Sequence, residues 1–171
     1  MIQAKLKHTF VTALQFDVET GSGHHFLVDD ALGKTGPKPI ELVAAALAGC
    51  TAFDVITILC NKKHKTVTGY EVTVEADQRP IPPQVFTHVR VHHAISGSDI
   101  DDQSVKDAIE LSESKYCSVG AMIRQSGAEV TTTYSITGVT PSIETVQKLP
   151  GYRSLKITRR TGVIGCSMGR S

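Results

Sequence analysis

The sequence predicts an α+β fold, with helices packed on antiparallel sheet. Three observations carry that expectation. Residues 39–63 form one long stretch, apolar almost all round, that reads as a buried central helix. Residues 66–78 and 84–96 alternate with a period of two, as a pair of antiparallel strands would. Residues 102–116 place apolar side chains at helical spacing and read as a second helix. A strand hairpin before the long helix and a last strand over 129–137 complete the order. One domain over 1–137 is long enough to bury a real core, and a basic extension rich in Gly, Ser, Thr and Arg follows over 138–171.

Each element has its own signals. Residues 2–16 alternate loosely through Phe10, Val11, Leu14 and Phe16, as a strand would. Glu19-Thr20-Gly21-Ser22-Gly23 is a turn signal, and 24–29 reads as the returning strand. Residues 29–39 hold Gly33, Gly36 and two prolines and form a loop into the central helix. Pro39 suits a first helical turn, where a missing N–H costs nothing. Glu41 then lies near the positive end of the helix dipole, and Lys62 and Lys63 near its negative end. At ~1.5 Å per residue the stretch spans roughly 36 Å. Gly49-Cys50 sits in its middle, a thiol beside a residue with no side chain to crowd it.

Arg79-Pro80-Ile81-Pro82-Pro83 ends the strand over 66–78. In the strand that follows, Val85, Thr87, Val89, Val91, His93 and Ile95 share one face, while Phe86, His88, Arg90, His92 and Ala94 share the other. Three histidines there invite a metal reading. No carboxylate cluster accompanies them, so a solvated or interface strand face is the expectation. Ser98-Asp99-Ile100-Asp101-Asp102 supplies the N-cap candidates for the second helix. Its inner face is Val105, Ala108, Ile109 and Leu111, continued by Ser112 and Tyr116. Gly120 reads as the helix stop, with a short helical piece after it.

Composition excludes several classes. A net charge of +1 points to neither nucleic acid nor a membrane surface. The charge is uneven, however: 137–171 carries six basic residues and one acidic. A solvated charged tail is the expectation there. The central stretch nears the ~20 residues of a membrane span, but a central Asp54 and its threonines and alanines weaken that reading. The four cysteines, Cys50, Cys60, Cys117 and Cys166, show no CxxC pairing, and no dedicated zinc site is expected. The N-terminal Met-Ile-Gln-Ala-Lys-Leu-Lys-His lacks an apolar signal core, so the chain is read as cytoplasmic, where thiols stay reduced.

Two of the cysteines are candidates for chemistry. Taken alone, Cys50 is most simply a small core residue, and Cys117 closes the second helix. If the two sulfurs approach, they form a peroxidatic and resolving pair. A thiolate attacks a peroxide oxygen and becomes a sulfenic acid; the second thiol condenses with it, and a dithiol reduces the resulting disulfide. Cys60, ten residues beyond Cys50, is assigned to the core, and Cys166 has no evident partner.

Pro-x-Glu-Leu-x-x-Ala-Ala-Leu-Ala-Gly-Cys around Cys50, with Lys-Tyr-Cys-Ser-Val-Gly-Ala around Cys117, resembles the OsmC/Ohr family of osmotically inducible and organic-hydroperoxide-resistance proteins. The likeness covers residues ~1–137, and the Phe-Thr-His-Val stretch and Ser-Glu-Ser-Lys-Tyr-Cys-Ser-Val resemble the YhfA-like branch. The resemblance implies an intertwined homodimer with Cys50 at a site built from both chains. It implies reduction of organic or lipid hydroperoxides, with Cys50 peroxidatic, Cys117 resolving, an external dithiol of the dihydrolipoamide type and no bound cofactor. The family's hydroperoxidases place glutamate directly after the helix proline; here that position is Ile40, and Glu41 follows. Their activating arginine precedes the helix, whereas this chain has no arginine before Arg79. Lys34, Lys38, His24 and His25 are therefore the upstream candidate activating cations, with Arg79 or Arg90 as candidates reaching in from a second copy of the chain and Glu41 as a cap or interface acid. A second reading keeps the fold and drops the chemistry: a stress protein that holds a lipophilic ligand in the dimer cavity.

Overall fold

The computed structural model describes residues 1–30, 32 and 34–137. The expectations for the basic extension and for Cys166 lie outside these residues. The chain separates into two compact units, Met1–Leu47 and a second that begins at Ala48.

The first unit holds a three-stranded antiparallel sheet, β1 (Ala4–His8), β2 (Phe16–Thr20) and β3 (His25–Val28), in that order. The single strand expected over 2–16 is thereby corrected: it is β1 followed by a turn. The loose alternation through Phe10 and Val11 had no register to enforce. Phe10 takes a φ of 61°, and the Thr9 N–H donates to the Gln15 carbonyl at 3.1 Å, closing the turn. Phe10, Val11 and Leu14 stay exposed. The hairpin turn stands where expected, with β2 and β3 paired from Phe16↔Val28 to Glu19↔His25. Beyond β3, the buried Asp29 carboxylate accepts from the Thr35 and Thr12 hydroxyls and from the Asp30 N–H. The Thr35 hydrogen bond is the main reason its carboxyl sits below the usual range.

Helix α1 (Pro39–Thr57) runs through the boundary between the units and continues as a π-helical turn, Ile58–Lys62. By length and apolarity Pro39–Lys62 passes as a membrane span, a test that core helices also pass. It is less enclosed than the sequence suggests. Only 28% of its most apolar window is buried within this chain, and Phe53 is 76% exposed.

The second unit carries the larger sheet, β4 (Val67–Gln78), β5 (Phe86–Gly97) and β6 (Glu129–Thr137), in that order. β4 and β5 are antiparallel, but β6 joins β5 in parallel, from His88↔Glu129 to Ser96↔Thr137. The reason is the connection. A parallel neighbour requires a crossover, and here it contains α2 (Asp102–Leu111), a π-helical turn (Ser112–Tyr116) and α3 (Ser118–Gln125). Asp101 caps α2, its carboxylate accepting from the Ser104 N–H at 2.8 Å. Val55, Ile58 and Leu59 meet Ile95, Val105, Ala108 and Ile109 in the core. Val89, Val91 and Ile95 are buried on one face of β5, and His93 shares that face and is buried with them, which corrects the solvated or interface setting expected of the strand's histidines. Of the inner face assigned to the second helix, Tyr116 is the exception, half-exposed under the Lys62 ammonium, which donates to its hydroxyl at 3.0 Å.

Candidate active site

Cys50 and Cys117 meet. Their sulfurs and a carboxylate oxygen of Asp54 all lie within 4.8 Å of one another. Asp54 follows Cys50 by four residues, so α1 presents both on one face. Cys117 arrives from within the crossover, between the π turn and α3. Its backbone turns extended (φ −70°, ψ 93°), which ends the π turn, while its N–H still donates to the Ser112 carbonyl at 2.8 Å. The stop is therefore at Cys117. Gly120, expected to end the helix, is a buried residue inside α3, and its N–H donates to the Cys117 sulfur at 3.3 Å. Cys117 is thus the N-cap of α3.

The two thiols are not equivalent. Cys50 is half-buried, and Cys117 is 4% exposed. Burial pushes the Cys117 thiol up to about 11 against the pull of the Gly120 N–H; the neighbouring Cys50 and the Asp54 charge add to the rise. Asp54 is itself held in place. The Ser112 hydroxyl donates to its Oδ2 at 2.9 Å, and the Thr51 hydroxyl lies 3.3 Å from that of Ser112. A Cβ added at Gly49 would meet nothing within 4 Å, so the backbone beside Cys50 borders open space.

A second polar pair lies under the helices. The Tyr70 hydroxyl and His93 Nδ1 are 2.7 Å apart, with the rings stacked at 5.9 Å. His93 is fully buried and its Nε2 has no hydrogen-bond partner among the described residues. Burial pushes the His93 imidazole down to about 4, so it is neutral at pH 7. Tyr70 is pushed the other way, by burial and then by the charge of Asp54.

The remaining candidates are engaged elsewhere. Glu41 accepts from the Lys38 N–H at 2.8 Å and lies 3.5 Å from the Lys38 ammonium, closing the start of α1. Arg90 binds Asp77 at 2.7 Å and Glu75 at 3.4 Å across β4 and β5. Arg79 donates to the Pro83 carbonyl within its own turn. Lys34 is exposed, with a φ of 55°. Asp54 has no ion-pair partner among the described residues. Cys60 is buried in the π turn after α1. His88 and His92 bind Thr87, Thr133 and Ser135 on the outer sheet face, and only His93 turns inward. Sequence reasoning missed Asp54 and Ser112 as members of the site. The signal was present: a carboxylate four residues beyond a cysteine, inside an otherwise apolar helix.

Comparison with known proteins follows the same lines. The family model for OsmC-like protein matches residues 31–133. The chain is 37% identical to protein YhfA of Escherichia coli over 135 residues, 79% of this chain and 98% of that protein. A hypothetical protein from Aquifex aeolicus shares the fold with a TM-score of 0.72 at 21% identity, over 81% of this chain and 98% of its own. An organic hydroperoxide resistance protein from Legionella pneumophila superposes with a TM-score of 0.56 at 19% identity, over 80% of this chain and 96% of its own.

Proposed function

The chain belongs to the OsmC-like family, and from that premise we propose that it is a thiol peroxidase reducing organic hydroperoxides through Cys50 and Cys117. One observation carries the reading: two thiols distant in sequence converge within 4.8 Å at a half-open site. The name of the Legionella pneumophila protein, an organic hydroperoxide resistance protein, supports the choice of substrate class.

The difference in exposure supports the division of roles. Cys50 is the thiol a peroxide can reach, and Cys117 is enclosed behind it. The Cys50 thiolate attacks a peroxide oxygen; an S–O bond forms, the O–O bond breaks, and the alkoxide leaves as alcohol after taking a proton. Cys117 sulfur then attacks the sulfenic sulfur. An S–S bond forms, the hydroxyl leaves as water, and Asp54 takes the Cys117 proton and passes it to that hydroxyl. An external dithiol restores both thiols by exchange and is itself oxidised to a disulfide. The exposed apolar side chains of α1, Phe53 foremost, support a homodimer that covers them.

The test is peroxide consumption by the reduced protein, with cumene hydroperoxide and hydrogen peroxide offered separately and dihydrolipoamide as reductant. Turnover of the organic peroxide, abolished in Cys50→Ser, is expected. No turnover, with Cys50 still reduced after exposure, would sink the reading. The binding-protein alternative would then lead, favoured by a cavity of about 370 Å³ in the first unit, lined by Leu6, Leu14, Phe16 and Val28.

A further inference from the structure

We infer that Cys50, Cys117 and Asp54 form a binding site for a thiophilic divalent cation of the zinc type, with solvent supplying the fourth ligand. The donor set is the argument. Two sulfurs and one carboxylate oxygen lie mutually within 4.8 Å. Tetrahedral zinc, at ~2.3 Å from sulfur and ~2.0–2.2 Å from oxygen, needs its ligands about 3.5–3.8 Å apart. Side-chain rotations that draw the three atoms together by about 1 Å complete that geometry.

The Ser112 hydroxyl donates to Asp54 Oδ2 at 2.9 Å, with Thr51 behind Ser112, an outer hydrogen bond of the kind that fixes a carboxylate ligand. No lysine or arginine among the described residues pairs with Asp54. The Lys62 and Lys115 ammoniums lie over the ring of Tyr116, the residue before Cys117. A divalent cation therefore competes with protons and not with a resident side chain. On binding, each thiol gives its proton to solvent, and both sulfurs and the carboxylate coordinate. Two protons leave as two positive charges arrive, so the net charge of the partly buried site is unchanged. Half-burial of Cys50 and Asp54 leaves the open side for water. The spacing of cysteines along the sequence gives no hint of this, because one sulfur donor comes from α1 and the other from the later crossover between β5 and β6.

Metal and disulfide are mutually exclusive uses of the same sulfurs, so occupancy would hold the thiols reduced and withdraw Cys50 from peroxides. The inference does not depend on peroxidase activity, since its readout is spectroscopic. The reduced, metal-free full chain is titrated with Co²⁺ under anaerobic conditions. One equivalent should produce a thiolate-to-cobalt charge-transfer band with tetrahedral visible bands, release about two protons, and be displaced by Zn²⁺. The band should be lost in Cys50→Ser and Cys117→Ser and kept in Cys60→Ala. Asp54→Asn should weaken Co²⁺ by at least about tenfold. A wild-type protein that takes up Co²⁺ without the charge-transfer band or the proton release overturns the inference. So does an Asp54→Asn variant, folded by circular dichroism, whose affinity is unchanged.

Discussion

Two polar groups sit in the second unit and differ in one respect above all. Cys50, Asp54 and Cys117 form a half-open cluster at the face of α1, whereas Tyr70 and His93 are closed in under the helices. Both gather groups that prefer water. The open cluster keeps its titratable atoms within reach of a small molecule. The closed pair bonds the Tyr70 hydroxyl to His93 Nδ1 and leaves His93 Nε2 without a partner among the described residues. The difference separates chemistry from stability: substitution in the first should change reactivity, and substitution in the second should change folding.

The largest expected effect tests the open cluster. In single-turnover reaction with cumene hydroperoxide, Asp54→Asn should slow the appearance of the Cys50–Cys117 disulfide by about tenfold or more, while sulfenic acid still forms. A trap for sulfenic acid and mass spectrometry read both species. Equal rates in the variant and the parent would remove Asp54 from the resolving step.

The closed pair should respond to pH. His93 in the folded chain is held at about 4, below its ordinary value, so the unfolded chain binds more protons between the two. Stability is full above about pH 6.5 and falls as pH drops toward 4, by on the order of 3 kcal/mol for this group. Urea midpoints at pH 7, 5.5 and 4.5 read it. His93→Leu should flatten the fall, and an unchanged slope would show that His93 does not set it. Tyr70→Phe should cost about 1–3 kcal/mol at pH 7, because His93 Nδ1 then loses its partner as well. Peroxide turnover at 25 °C should stay near the parent's, and a large loss would erase the contrast between the two groups.

The smallest effect belongs to the start of α1. Glu41→Gln should lower the melting temperature by at most about 2 °C, since the cap it closes is exposed.

Much of this architecture was legible because it is local. The period-two pattern of β5 put His93 on one face with Val89, Val91 and Ile95 and His92 on the other, and the structure buries the first set, His93 included, against the solvated or interface setting expected of the histidines. Glu41 was legible as a cap from its place in the first turn, where carboxylates find unpaired N–H groups. The turn after Thr9 was not legible. Phe10 and Val11 look like strand residues, and only the Thr9–Gln15 contacts, made by side chain and backbone together, turn the chain there. Gly120 misled for a related reason: a glycine after a helix suggests a stop, but Cys117 had already taken the cap.

By itself the sequence determined the elements, their faces, and the two cysteines placed where thiols could act. Periodicity and capping are properties of neighbours along the chain, so they survive without knowledge of the fold. Tertiary structure alone decided that β6 runs parallel to β5, that Cys50 meets Cys117, and that Asp54 joins them. These depend on the path of a crossover and the packing of helices from distant parts of the chain, which set distances that no local pattern encodes.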